Sequence, residues 1–251
     1  MTNAILTGAS GFLGSHLIKR LPNAIPLSHY DITYGCSKCY DQLFFLSTYG
    51  NMASHTMTRL MLRANVEDVL MATTGFVGWI CFVSSSSVTL PVQTPYSRTK
   101  RAAEEILQSL DHFQTCIVRP FSICGVNEQK EHLIPTLIRS CMEGEPMTFD
   151  PWPTHDFIDV EDVCDALIRL ADDKATGIYE FGNRVAISNE EVRKLVEQVT
   201  GRKANITDVR PLRDYDNSDW RCKTQNKYWQ PTKSLRESIT EMVEQYRHEH
   251  A

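Results

Sequence analysis

Short apolar runs alternate with amphipathic segments through the first half of the chain. Ala4-Ile5-Leu6-Thr7 reads as a short buried strand, followed by a glycine-rich turn and a helix to about Leu21. Ala24 to Leu27 and Gln42 to Leu46 are the next two strand candidates. Between Ala53 and about Ala72, Met57, Leu60, Met61, Ala64 and Val69 recur at helical spacing. Ile80 to Val83 is another continuous apolar strand, residues 97–110 read as a helix, and Thr115 to Val118 as the next strand. Strands that are apolar throughout, alternating with helices, predict an α/β chain whose parallel sheet is covered on both faces.

Beyond about residue 125 the pattern changes. His132 to Cys141 and Val160 to Ala171 are helical stretches, and Gly177 to Phe181 is a strand. Ser188 and Glu191 form a capping box that opens a helix to about Thr200. Leu235, Ile239, Met242, Val243 and Tyr246 share one face of a final helix. With no Pro/Gly/Ser-rich linker between the halves, a second lobe is expected to pack tightly on the first.

Composition narrows the class. In 251 residues, 42% hydrophobic and 23% charged, apolar positions are spread evenly, which excludes a disordered chain. The net charge of -5 leaves no basic footprint for nucleic acid. No apolar run reaches membrane-spanning length, and the N-terminus does not resemble a signal peptide, so a cytoplasmic protein is expected. Eight cysteines are too few for a disulfide scaffold; Cys81, Cys116 and Cys164 read as small core residues. Cys36 and Cys39 form one C-x-x-C pair without the second pair a structural zinc site needs, and no metal is expected. His112, His132, His248 and His250 show no ligand spacing.

Gly8, Gly11 and Gly14 stand at the first strand–helix junction. A tight turn there needs a residue without Cβ, and a diphosphate needs close backbone approach and a helix N-terminus. The loop therefore predicts dinucleotide binding. At the end of the second strand an acidic residue would hold the adenosine ribose and repel a 2′-phosphate. Ser28 and His29 occupy that place and Asp31 comes late, so NADP is favoured over NAD.

Tyr96 and Lys100 lie four apart at a helix start, on one face. Upstream, the strand at 80–83 runs into Ser84-Ser85-Ser86-Ser87. Redox exchange between an alcohol and a carbonyl needs a proton donor and acceptor beside the hydride path. A phenol titrates near pH 10 when unperturbed (about 10), and a nearby ammonium favours its ionised form. A serine hydroxyl can bond the reacting oxygen.

Several segments resemble, in order, the extended short-chain dehydrogenase/reductases of the NAD-dependent epimerase/dehydratase family, which act on nucleotide sugars. They are Thr7 to Gly14, Tyr96 with Lys100, Arg119 to Gly125, His155 to Val163, Gly177 to Gly182 and Trp229 to Leu235. The resemblance implies a Rossmann-type doubly wound sheet over residues 1–125. A smaller, mainly substrate-binding α/β lobe would span 126–251, with about 156–181 returning to the Rossmann core. It implies Ser85, Tyr96 and Lys100 as catalytic residues, with Ser86 left open as the serine. Tyr96 would be the acid/base, and Lys100 would lower its pKa and bind ribose. Gly8, Ser10, Gly11, Phe12, Leu13, Gly14, Ser28, His29, Leu46, Ser47, Pro120, Phe121 and Ile123, together with Tyr96 and Lys100, would contact the cofactor. Ser86, Ser87, Ser122 and His155 would contact substrate. A homodimer is implied as well.

Ser86-Ser87 stands where the family's dehydratases carry Asp-Glu, which argues against 4,6-dehydration. His155 replaces an arginine that often meets the substrate diphosphate. The activity expected is 4-keto reduction or C4-type epimerisation of a nucleotide-activated sugar. The alternatives are a carbonyl reductase of a non-sugar substrate and a nicotinamide-binding regulator without catalysis. Trp229 is expected in the core, and Trp152 and Trp220 as either core or pocket residues.

Overall fold

The structure, a computed structural model, describes residues 3–34, 40–51, 55–212 and 219–250. Cys36 and Cys39 lie outside the described residues. In chain order the strands are β1 (Ala4–Thr7), β2 (Ile25–Leu27), β3 (Gln42–Phe45), β4 (Trp79–Val83), β5 (Gln114–Pro120), β6 (Ser122–Cys124), β7 (Met147–Phe149), β8 (Thr154–His155), β9 (Phe157–Asp159), β10 (Gly177–Phe181), β11 (Ile187–Ser188) and β12 (Ile206–Val209). The helices are α1 (Phe12–Arg20), α2 (His29–Tyr34), α3 (Thr58–Leu62), α4 (Asp68–Thr73), α5 (Pro95–Ser109), α6 (Leu133–Glu143), α7 (Val160–Asp172), α8 (Asn189–Thr200) and α9 (Leu235–Glu249). A π-helical turn, Arg63–Glu67, joins α3 to α4.

Two compact units result. One comprises Met1–Pro120, Cys164–Glu180 and Asn226–Tyr228; the other comprises Phe121–Val163, Phe181–Gln225 and Trp229–Ala251.

The first unit is built on a six-stranded sheet in the order β10-β5-β4-β3-β1-β2. β1 pairs in parallel with both β2 and β3, and the parallel pairing continues through β4 to β5. The strand order therefore reverses direction at β1, and the crevice beyond the carboxyl ends of β1 and β3 is where such sheets bind ligands. Ile5, Leu43, Phe45, Ile80 and Phe82 cluster with Val69, Ala72, Ala103 and Leu107 from the helices on one face. On the other, Gln42 Nε2 donates to the Ala171 carbonyl at 2.9 Å and Trp79 Nε1 to that of Ala175 at 2.8 Å. These bonds tie the sheet to the end of α7. Burial on both faces is why these strands read as unbroken apolar runs.

The single helix expected from Ala53 to about Ala72 is instead α3, the π turn and α4. The wider turn inserts a residue and rotates the buried face, so Asn65 is fully enclosed where Ala64 is only half-buried. The segment after β2, for which the sequence pattern predicted no element, is the short helix α2.

The second unit contains three two-stranded sheets, β6–β9 and β7–β12 parallel and β8–β11 antiparallel. Ile134, Leu137 and Ile138 of α6 form a core with Val192 and Val196 of α8 and Ile239 and Val243 of α9. Both α8 and α9 open on complete capping boxes, Ser188 with Glu191 and Ser234 with Glu237. Trp229 stacks on Phe181 at 5.2 Å and is half-buried rather than a core residue. Among the described residues no helix is long and apolar enough to cross a membrane.

Candidate active site

At the carboxyl end of β1, Gly8 takes φ +71° and its carbonyl accepts from Gly11 N at 3.0 Å. A Cβ on Gly8 would lie 2.8 Å from Ser47 N, and one on Gly14 only 2.0 Å from the Gly8 carbonyl oxygen. The loop is thus a cradle that side chains would fill. It leads into α1, capped by the Gly11 backbone with no side chain on its first N–H groups. Thr7 Oγ1 accepts from Leu46 N at 3.1 Å and Ser47 N at 3.2 Å, which brings the end of β3 against the loop. Gly8, Ser10, Gly11, Phe12, Leu13, Gly14, Leu46 and Ser47 therefore share the switch point. This glycine cradle, with free N–H groups at the helix start, fits a dinucleotide diphosphate.

At the end of β2 the geometry differs from the sequence expectation. Asp31 folds back, and its carboxylate accepts from Ser28 N at 2.7 Å and Ser28 Oγ at 2.6 Å. Those bonds hold it below the usual carboxylate range, hence ionised. The segment also meets an arginine. Arg63 of the π turn contacts His29 Nε2, while His29 Nδ1 bonds Asp68 at 3.1 Å. Because the guanidinium only donates, Nε2 accepts and Nδ1 carries the proton toward Asp68.

Tyr96 sits in the first turn of α5, which Thr94 opens by accepting from Ser97 N at 3.2 Å, with Pro95 at the first helical position. The hydroxyls of Thr48 and Ser85 stand beside that of Tyr96. Burial pushes the phenol up, against those two neighbours. Ser85 Oγ lies 2.9 Å from Ser87 Oγ and accepts from Ser87 N at 3.2 Å, capping a short helical turn. Ser86 is enclosed, with its carbonyl bonded by Thr89. The structure therefore brings Ser85 to Tyr96.

Lys100 is fully buried one turn along. Its Nζ donates to the Val83 carbonyl at 2.9 Å and lies 4.7 Å from the centre of the Phe82 ring. Desolvation pulls it down to about 7, opposed by the nearby Glu104 carboxylate. Glu104 is itself buried and accepts from Arg119 through both oxygens. The sequence expectation was that Lys100 lowers the Tyr96 pKa. In the structure its immediate partner is a backbone carbonyl, and Tyr96 is raised.

In the second unit, Ser122 Oγ lies 3.0 Å from His155 Nδ1. The His155 ring is buried, 5.3 Å from that of Trp220 and 5.5 Å from that of Phe157. Phe121 packs on Trp220 at 6.1 Å, and Ile123 is registered with Ile158 in the β6–β9 pair. Pro120 ends β5 in the first unit. Trp152 is exposed. Among the described residues no cluster of His, Cys, Asp and Glu could hold a metal. A cavity of about 370 Å³ lined by Leu107, Phe113, Ile117 and Ile178 opens at the starts of β5 and β10.

Sequence reasoning passed over Thr48, Asn65 and Glu104. Their signal was weak: single polar residues inside segments otherwise read as strand end or helix face.

A doubly wound parallel sheet with a glycine cradle at its switch point defines a Rossmann-type enzyme of the short-chain dehydrogenase class. The model of the NAD dependent epimerase/dehydratase family matches residues 50–182, more than half of the chain, and the chain belongs to that family. It is 22% identical to UDP-glucuronic acid decarboxylase 2 of Arabidopsis thaliana, over 97% of this chain and 68% of that protein. Solved structures share the fold, among them two bound to UDP-sugars. MoeE5 in complex with UDP-glucose and NAD superposes with a TM-score of 0.88 at 23% identity, covering 99% of this chain and 100% of that one. UDP-N-acetylglucosamine 4-epimerase from Methanobrevibacter ruminantium M1 gives 0.86 at 18% identity, covering 99% of each.

Proposed function

We propose that this NAD-dependent enzyme exchanges hydride at a ring carbon of a nucleotide-activated sugar, with a UDP-sugar as the first substrate class. The observation that carries this reading is the Tyr96 hydroxyl beside that of Ser85, with Lys100 buried one turn further on. When bound, the nicotinamide supplies or accepts the hydride. Ser85 holds the reacting oxygen, Tyr96 gives it a proton or takes one, and Lys100 supports Tyr96 and the nicotinamide ribose. Ser87, Ser122 and His155 serve as substrate contacts, and Ser86, enclosed by the protein, does not. Since His155 is paired with Ser122, that contact is a hydroxyl–imidazole pair in place of a guanidinium fork.

Reduction of a 4-keto sugar and C4-type epimerisation would both run through Tyr96, Ser85 and Lys100. Reduction asks the tyrosine to start as an acid, whereas epimerisation must also start it as a base. For the cofactor, the ionised Asp31 carboxylate at Ser28 supports NAD. The arginine that could grip a 2′-phosphate is engaged on His29. The enzyme is proposed to act in the cytoplasm as a homodimer.

Thermal-shift measurements with UDP-glucose, UDP-glucuronic acid and UDP-N-acetylglucosamine in the presence of NADH test the substrate class, because a ligand of the folded state raises the midpoint. A rise with at least one of them is expected. No rise with any, together with NADH oxidation by simple ketones, overturns the sugar reading in favour of a non-sugar carbonyl reductase.

A further inference from the structure

Three side chains form a chain of contacts beyond the end of β2. His29, the first residue of α2, stands directly after Ser28, whose N–H and hydroxyl hold the Asp31 carboxylate. Its Nδ1 lies 3.1 Å from Asp68 Oδ2 at the start of α4. Its Nε2 meets the guanidinium of Arg63, the first residue of the π turn. The Asp68 side chain is only 12% exposed, that of His29 is 46% exposed, and Arg63 lies at the surface. Burial pushes Asp68 up, opposed first by His29 and then by Arg63, so both act on that carboxylate.

The polarity of the chain is fixed at its two ends. A guanidinium has donors only, so Nε2 offers it a lone pair. The proton of the neutral ring is then on Nδ1, where Asp68 accepts it. The carboxylate thus selects the tautomer that can hold an arginine. The other charged groups beside these three are Glu67 on the π turn and Asp31 on α2.

In a doubly wound sheet the end of the second strand receives the adenosine ribose, and an arginine nearby accommodates a 2′-phosphate. An arginine is present here, but its guanidinium is occupied by His29. We propose that His29 is a specificity-determining residue: it latches Arg63, and breaking the latch turns that arginine into a contact for the 2′-phosphate of NADP. This rests on the reading of the glycine cradle as a dinucleotide site and deepens it, by adding a second determinant of the proposed preference for NAD. Asp31 repels a 2′-phosphate by its charge, whereas the latch acts separately, by withholding a cation.

Fluorescence titration of NADH and NADPH into the full chain gives the ratio of their affinities, and variants are compared by that ratio. An asparagine amide reaches the place of Nδ1 and can still donate to Asp68, with nothing at the place of Nε2. A glutamine amide reaches the place of Nε2 and can still accept from Arg63. His29→Asn is expected to move the ratio about two- to fivefold toward NADPH, the worth of one exposed ion pair. His29→Gln stays at the wild-type ratio. Arg63→Ala alone leaves the ratio unchanged, and added to His29→Asn it cancels the gain. All these positions are at least half exposed or at the surface, so the variants keep the fold. The latch is overturned by an unchanged ratio in His29→Asn, by a His29→Gln ratio that follows Asn, or by a gain that survives Arg63→Ala. Weaker NADPH binding in Arg63→Ala alone also overturns it, since the arginine would then already grip the phosphate. Wild type that binds neither dinucleotide overturns the cradle reading and the latch together, whereas NADH binding with no shift in His29→Asn overturns the latch alone.

Discussion

Lys100 gives the account its sharpest energetic consequence. Its ammonium is taken out of water with one carbonyl and one ring face as near partners, and its pKa falls from 10.5 to about 7. At about 1.4 kcal/mol per pH unit, that fall is worth about 4–5 kcal/mol. Between pH 7 and 10.5 the unfolded chain binds the proton that the folded chain has released, so stability rises with pH across this window. Conversely, at pH 7 the lysine costs the fold about 4 kcal/mol relative to a neutral side chain. Lys100→Met retains the length and removes the charge. It forfeits the bond to Val83, worth about 1–1.5 kcal/mol, so a net gain of about 2–3 kcal/mol is expected near neutral pH. Urea denaturation of wild type and variant at pH 7 and at pH 9.5 checks both sign and trend. The variant should be more stable at pH 7, and its advantage should shrink at pH 9.5, while hydride transfer is lost. A variant less stable than wild type at pH 7, or an advantage that does not change with pH, would refute the claim that Lys100 is held at an electrostatic cost for function.

Further predictions follow from neighbouring residues. Glu104→Gln removes the buried charge that pairs with Arg119 and supports Lys100. It should lower unfolding free energy by about 2–3 kcal/mol in urea titrations and shift the activity profile to lower pH. Gly14→Ala forces a Cβ to 2.0 Å from the Gly8 carbonyl oxygen. Calorimetric titration should show at least about tenfold weaker NAD binding, with about 1–3 kcal/mol of stability lost. The Asp31 carboxylate at Ser28 predicts tighter binding of NADH than NADPH, and Asp31→Ala should narrow the gap; a wild-type preference for NADPH would contradict this assignment.

What the sequence revealed followed the strength of local signals. β1, β4 and β5 were legible because strands buried on both faces are apolar at every position, and the glycine cradle because no other residue fits it. The capping box at Ser188 and the final helix were equally legible, since their spacing is local. β7, β8 and β12 were missed: each is two to four residues long, too short for a period to show. The π turn was invisible because helical spacing assumes a constant pitch, and Asn65 became buried only through the inserted residue. Asp31 was judged by its distance along the chain, whereas α2 turns its carboxylate back onto Ser28. The choice between Ser85 and Ser86 was open for a similar reason. A run of four serines carries no internal landmark until the turn capped by Ser85 sends one toward Tyr96 and encloses the next.

The central claim is that Tyr96, with Ser85 and Lys100, transfers the proton that accompanies hydride exchange on a nucleotide sugar. Its most direct test compares wild type with Tyr96→Phe in a single-turnover assay. NADH absorbance is followed with a panel of nucleotide-linked 4-keto sugars, alongside NADH affinity measured by fluorescence. The account predicts oxidation of NADH by wild type with at least one of these sugars. It also predicts a loss of at least about a hundredfold in the rate for Tyr96→Phe, with NADH affinity little changed. Full-rate hydride transfer in Tyr96→Phe on the same substrate would contradict it.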